Sequence, residues 1–129
     1  MTCGGVSVGE EDHVKAAVEA EGELQLWKIA IKPGKPLASG RIGDADFIGL
    51  PGNPVSGYVT FAVLVRDFLR ARQGEVVPAW QPQYWLPAGF DWSKPDTRRE
   101  EFLRVRVVQQ DGRLLLQRYP NQGSGVLTS

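Results

Sequence analysis

The sequence predicts an α/β protein: an α/β unit over residues 1–74, followed by a second, small β unit over 75–129. Three observations carry that prediction. Up to Gly74, short apolar runs alternate with segments striped at helical spacing, the pattern of strands and helices in one layered unit. After Gly74 the texture turns to proline and aromatic residues, as in "EVVPAWQPQYWLPAGFDWSKPDT". Beyond that stretch, "EFLRVRVVQQDGRLLLQRY" alternates apolar and basic residues around Asp111-Gly112, a hairpin signature. A chain of 129 residues that is 42% hydrophobic can bury a core, in one domain or two small ones.

The elements follow in order. "TCGGVSVGEEDHVKAAVEAEG" reads as a glycine loop feeding a short helix, with Val14, Ala17 and Val18 on one stripe and Gly22 as its stop. "ELQLWKIAI", from Glu23 to Ile31, alternates as one strand, and the even spacing of Lys28 and Lys32 puts them on one face. "KPGKP" breaks that strand, and "DFIGL" is a short buried one. From Pro54 to about Arg72 the pattern is helical. Tyr58, Phe61, Ala62, Val65, Phe68 and Leu69 form the inward stripe. Ser56, Thr60, Asp67 and Arg70 mark the outer side, which Val63 interrupts. Gly74 ends the helix. In "GLPGNPVSG", Asn53 is the expected N-cap and Pro54 takes the first helical position, where its missing N–H costs nothing. Pro51 stiffens the turn ahead of Gly52. Backbone N–H groups at this helix start would face the crevice beyond the strand ends, where open α/β sheets bind ligands. In the hairpin, Leu103, Val105 and Val107 alternate with Arg104 and Arg106, and Leu114 and Leu116 return on the second strand.

Fifteen basic and fifteen acidic residues balance, so no global field points to nucleic acid or an anionic membrane. No apolar run is long enough to span a bilayer. The single Cys3 excludes an internal disulfide and fits a reduced, cytoplasmic setting. His13 has no Cys or His partner at zinc-site spacing, and Cys3 has no triad companion. "GGVSVG" lacks the Gly-Lys-Ser/Thr of a phosphate-binding P-loop and by pattern alone is a turn. The carboxylates of "GEED" suit a helix start, and clustered carboxylates also hold Mg²⁺ beside phosphates. Lys28, Lys32 and Lys35 admit two readings: a solvated strand edge, or ammonium groups converging on an oxyanion or phosphate. Trp27, Trp80, Trp85 and Trp92 read as packing residues, since no basic stripe accompanies them.

Taken together and in this order, "GGVSVGEED", "KIAIKPGKPLASG", "GLPGNPVSG", "RREEFLRVRV" and "NQGSGVL" resemble the molybdopterin molybdotransferase family of the bacterial MoeA type, related to the E domain of gephyrin. The resemblance runs over nearly the whole chain, and "KPGKP" is nearer the bacterial form. It implies a pterin-binding α/β domain followed by a small β-barrel domain, which makes residues 1–74 an incomplete α/β domain and 75–129 a truncated β-barrel-like one. It implies an enzyme that accepts adenylylated molybdopterin, uses Mg²⁺ and molybdate, releases AMP and inserts molybdenum at the dithiolene. It further implies a homodimer, with the molybdopterin adenylyltransferase as a candidate partner. By residue, Asp12 matches the acidic position linked to the metal and to adenylate cleavage. Lys28 and Lys32 match catalytic basic groups around molybdate and phosphate, and Lys35 a further one. Gly4, Gly5 and Ser7 of the glycine loop match substrate-binding positions, as do Pro51, Asn53 and Pro54 of the proline loop. Arg99 or Arg98, and Ser124, match cleft-lining positions of the β domain.

Cys3 stands where the family has Ser or Thr. The family's N-terminal domains, the first strands of its pterin-binding domain, its acidic "GDEL"-type segment and its final β strands have no counterpart here. The expectation is a C-terminal fragment with open sheet edges, inactive by itself. Two other readings stand beside the enzyme. One is a non-catalytic, gephyrin-like scaffold, against which Asp12 and the three lysines argue. The other is a pterin adenylyltransferase of the same α/β fold, against which the hairpin and "NQGSG" argue.

Overall fold

Alternating side chains on two central strands set the layering. The computed structural model describes residues 1–5, 13–34, 36–78 and 83–123. Its main sheet has four strands in the order β1 (Thr2–Cys3), β5 (Ala45–Leu50), β4 (Pro36–Ile42), β2 (Glu23–Lys28). β1 and β5 are parallel, while β5–β4 and β4–β2 are antiparallel. Ala38 and Phe47 pack on Val18 of α1 (His13–Glu21), with Val14 and Leu24 alongside. Their sequence neighbours Leu37 and Ile48, with Leu50, pack instead on Val65, flanked by Ile29, Phe61 and Leu69. Period-two alternation therefore gives the sheet a helix on each face, the α/β architecture expected from sequence. No helix among the described residues is long and apolar enough to cross a membrane.

The segment after Asn53 is helical but not one regular helix. α2 (Pro54–Thr60) runs into a π turn (Phe61–Val65) and then α3 (Arg66–Arg72). The Arg66 N–H donates to the Phe61 carbonyl, five residues back. Gly74, at φ 85°, ends it by donating to the Ala71 carbonyl at 3.0 Å. The inward stripe expected for this segment is corrected. Ser56 and Thr60, assigned outward, are buried, and Thr60 is fully so. Tyr58 and Phe68, assigned inward, are exposed. The wide turn carries the inward face from Thr60 to Val65, so a 3.6-residue stripe cannot follow it. Arg72 ties α3 to β5 through Asp46 at 2.8 Å.

The single strand expected from Glu23 to Ile31 is also corrected. β2 ends at Lys28, the chain bends at Ala30, and β3 (Ile31–Lys32) leaves the main sheet. β3 pairs in parallel with β6 (Glu100–Glu101), far along the chain, a pairing that local alternation cannot reveal. β4, unforeseen, fills the space between β2 and β5. The hairpin is where the sequence places it: β7 (Val105–Gln110) and β8 (Arg113–Arg118) join through Asp111 and Gly112. Both turn residues have positive φ, 50° and 75°, as a two-residue turn of type I′ requires. Pro87–Gly89 lies on the other edge of β8, with Leu116 N–H donating to the Pro87 carbonyl at 2.9 Å. Val108 and Leu115 face each other half-buried, while Val107 and Leu114 are exposed. The packing role expected of Trp85 fails, because it sits 88% exposed. Trp80 lies outside the described residues.

Gly34 fits where no other residue would. Its φ is 128°, and a Cβ there would come 3.0 Å from Thr60 Oγ1 and 3.2 Å from the Ile31 side chain. Gly34→Ala is expected to destabilise the fold by about 2–3 kcal/mol in urea denaturation. Gly43→Ala, at φ 57° with nothing within 4 Å, should cost only about 1 kcal/mol. Equal costs would remove the contact with Thr60 from the explanation.

Candidate functional site

Two loops close one end of the parallel pair β1–β5. The Gly4 N–H donates to the Leu50 carbonyl at 2.9 Å, so the chain leaves both strands side by side. Gly4 and Gly52 then pass so closely that a Cβ on Gly52 would lie 3.3 Å from the Gly4 Cα. Asn53 caps α2, its Oδ1 accepting from the Ser56 N–H at 3.2 Å, and Pro54 takes the first helical position. Both readings of this loop from sequence hold. The small residues Ser56 and Gly57 allow the helix to begin hard against the loop, where a Cβ on Gly57 would lie 3.1 Å from the Pro51 carbonyl oxygen.

The cleft beyond these strand ends has a volume of about 800 Å³. Gly4, Gly5, Pro51, Gly52, Asn53 and Ser56 form one wall. Lys32, Pro33, Gly34 and Pro36 form the turn beside it. The opposite wall is Trp92, Arg99, Glu101, Phe102, Leu103 and Gln122. β3 and β6 bring the two sides together, with Glu100 N–H donating to the Ala30 carbonyl at 2.8 Å and Phe102 N–H to the Lys32 carbonyl at 2.7 Å.

The electrostatics centre on Glu101, whose side chain is only 10% exposed. Its Oε1 lies 2.6 Å from Lys32 Nζ. Its Oε2 accepts from Trp92 Nε1 at 2.9 Å and from the Asp96 N–H at 2.8 Å. The Lys32 hydrogen bond above all, then those of Asp96 and Trp92, hold the Glu101 carboxyl down at about 2 against the cost of burial. Arg99 is held similarly: its Nε and Nη2 lie 2.8 Å and 2.6 Å from Asp96 Oδ2. The Arg98 N–H first, and then Arg99, lower the Asp96 carboxyl below its ordinary value. The Arg118 guanidinium stands over the Trp92 ring, 5.2 Å from its centroid. Gln122 is fixed by its amide: Oε1 accepts from the Arg104 N–H at 2.9 Å, and Nε2 donates to the Arg104 and Tyr119 carbonyls at 2.8 Å and 2.9 Å. That clamp explains why "NQG" follows the hairpin so closely.

Of the residues singled out in the sequence, Gly4, Gly5, Lys32, Pro51, Asn53 and Arg99 line one cleft. Pro54 stands next to the lining residue Asn53. Arg99 rather than Arg98 is the lining arginine. Lys28 does not join the set: it is exposed at the end of β2 and absent from the lining, because the bend at Ala30 separates it from Lys32. Ser7, Asp12, Lys35 and Ser124 lie outside the described residues. Sequence reasoning missed Ser56, Trp92, Glu101, Phe102 and Gln122. Glu101 sat inside a quoted motif, but only its pairing with Lys32 reveals its place. Among the described residues no cluster of three or more His, Cys, Asp or Glu could hold a metal. Glu101, already engaged by three donors, is not a ready cation ligand.

Fold and cleft define an α/β ligand-binding unit whose site is completed by an appended β segment. Residues 1–71 match the family described as "Probable molybdopterin binding domain", and residues 86–129 match "MoeA C-terminal region (domain IV)". The chain is 40% identical over 129 residues to the molybdopterin molybdenumtransferase of Haemophilus influenzae, which covers all of this chain and 32% of that protein. It is 38% identical over 121 residues to molybdopterin molybdenumtransferase 2 of Mycobacterium tuberculosis, covering 89% of this chain and 29% of the relative. The molybdenum cofactor synthesis protein cinnamon of Drosophila melanogaster is 32% identical over 136 residues, covering 98% and 21%. The chain belongs to the MoeA-type molybdopterin molybdenumtransferase family of molybdenum cofactor biosynthesis. It spans about a third or less of the length of these relatives.

The depressed Glu101 carboxyl makes stability depend on acid. Its value falls from 4.5 to about 2 in the folded chain, so the stability it contributes is present above about 4.5 and is lost as the pH falls through about 2. In urea titrations between those values, Glu101→Gln is expected to show a shallower loss of stability with falling pH than the wild type. Parallel slopes would assign the acid sensitivity to other carboxylates.

Proposed function

We propose that this chain carries the reaction cleft of a molybdopterin molybdenumtransferase. Within a full-length enzyme that cleft would accept adenylylated molybdopterin and molybdate, release AMP and deliver molybdenum to the dithiolene. The convergence of Lys32, Arg99 and the Gly4–Gly5 and Pro51–Asn53 loops on one cleft at the strand ends carries this reading. The loops offer main-chain groups and the short, capped start of α2 to a phosphate or planar ring, while Lys32 and Arg99 supply charge for oxyanions. In this reading Ser7, Lys35 and Ser124 contribute further substrate-binding groups, and Lys28 is an outlying charge. The α/β unit ends at Gly74, and the β unit begins with the residue after it.

Mg²⁺ is assigned to Asp12, outside the described residues. The described carboxylates do not fit the ion: among the described residues no three or more His, Cys, Asp or Glu side chains cluster to hold a metal. When bound, Mg²⁺ would neutralise charge on the adenylate phosphates. Homodimerisation, a cytoplasmic setting and a molybdopterin adenylyltransferase partner belong to the same reading. The exposed, unpaired thiol of Cys3 fits a reducing compartment.

Calorimetric titration of the chain with molybdate and with AMP tests the reading. The wild type is expected to bind both, and Lys32→Gln should weaken molybdate about tenfold, the loss of one charge-assisted contact. A wild type that binds no molybdate would overturn it. Asp12→Asn should weaken the Mg²⁺-dependent part of AMP binding while leaving the melting temperature within about 2 °C, as expected of a residue that serves the ion rather than the fold. A large drop in melting temperature would make Asp12 a structural residue.

A further inference from the structure

Lys32 does not face the cleft as a bare cation. Its ammonium is already bound to a carboxylate, Glu101 Oε1, at 2.6 Å. The two partners are placed unequally: Lys32 is 45% exposed and Glu101 only 10%. Glu101 also keeps two donors of its own on Oε2, Trp92 Nε1 and the Asp96 N–H, neither of which comes from the lysine side of the cleft. Losing Lys32 would therefore not strand the carboxylate without partners, and the lysine is the partner with room to move. Arg99 is engaged in the same way by Asp96, whose backbone N–H feeds Glu101, so the two ion pairs are linked.

We propose that Glu101 is a built-in counter-ion that competes with incoming oxyanions for Lys32 and so sets how tightly the cleft holds them. The proposal rests on the reading of the cleft as an oxyanion site. An anion entering must share the Lys32 charge with Glu101 and lie close to that carboxylate, and both effects weaken binding. The cleft then resists ambient anions such as sulfate and lets go of a spent anion, at the cost of intrinsic affinity. Glu101 acts through Lys32 and touches no reacting atom, so it is a positioning residue that sets affinity rather than a catalytic residue.

The test is titration of wild type, Glu101→Gln and the double variant Lys32→Gln/Glu101→Gln with molybdate and with sulfate. Glu101→Gln should bind both anions about tenfold more tightly than wild type, and the double variant should lose that gain. A role confined to holding the fold together would lower affinity, so a gain has the opposite sign to a structural effect. Unchanged or weaker binding by a folded Glu101→Gln chain overturns the proposal while leaving the reading of the cleft intact. A wild type that binds no molybdate removes both. If Glu101→Gln does not fold, nitrogen-15 spectra of the wild type decide the matter. Molybdate should shift the Lys32 ammonium resonance and leave the Trp92 indole N–H in its bonded position. Molybdate binding that leaves the Lys32 resonance unmoved overturns the proposal.

Discussion

The cleft depends on a parallel pairing only two residues long. β3 and β6 meet through Ile31–Glu100 and Lys32–Glu101, fixed by two backbone hydrogen bonds and one ion pair. Parallel strands cannot be joined by a tight turn, so the connection between them is long. Here the chain uses it to complete the main sheet and to build the helix on its second face. The bend at Ala30 frees Ile31 and Lys32 from the main sheet for this purpose. Ile31 is buried there, which anchors the pair from the apolar side while Lys32 supplies the polar one.

The two walls of the cleft are made of different material. On the α/β side, glycines and prolines bring the main chain to the surface, and a Cβ on Gly52 would crowd the Gly4 backbone. On the β side, Trp92, Asp96, Arg99 and Glu101 form a connected set of side chains, each held by a hydrogen bond or ion pair. Arg118 extends that set to the hairpin through the face of Trp92. Gln122, bonded to the backbone at both ends of the hairpin, joins the same wall.

Much of this was legible in the sequence, for reasons that separate what was read from what was missed. The cap at Asn53, the turn at Asp111-Gly112 and the stop at Gly74 follow from local backbone chemistry, and each stands where the residues place it. The family motifs brought Lys32 and Arg99 to attention although neither is near the other in sequence. Strict alternation failed between Lys28 and Lys32, because the strand changes sheets between them. Helical periodicity failed at Thr60, because a π turn shifts the inward face and small polar residues serve for close approach. Glu101 and Trp92 could not be placed at all without the long-range pairing. An acidic residue in a charged run and a tryptophan in an aromatic stretch look the same wherever they end up.

The glycine–proline wall has a consequence for how such proteins diverge. A surface made of main chain keeps its shape through most substitutions elsewhere; a side chain at Gly52 would press on the Gly4 backbone, and the positive φ of Gly4 strains one there. Variation that alters ligand preference is thereby channelled to the opposite wall, where single side chains can change without moving the backbone. Paralogues that drift toward new ligands should carry their differences between Trp92 and Gln122, with the two loops inherited unaltered.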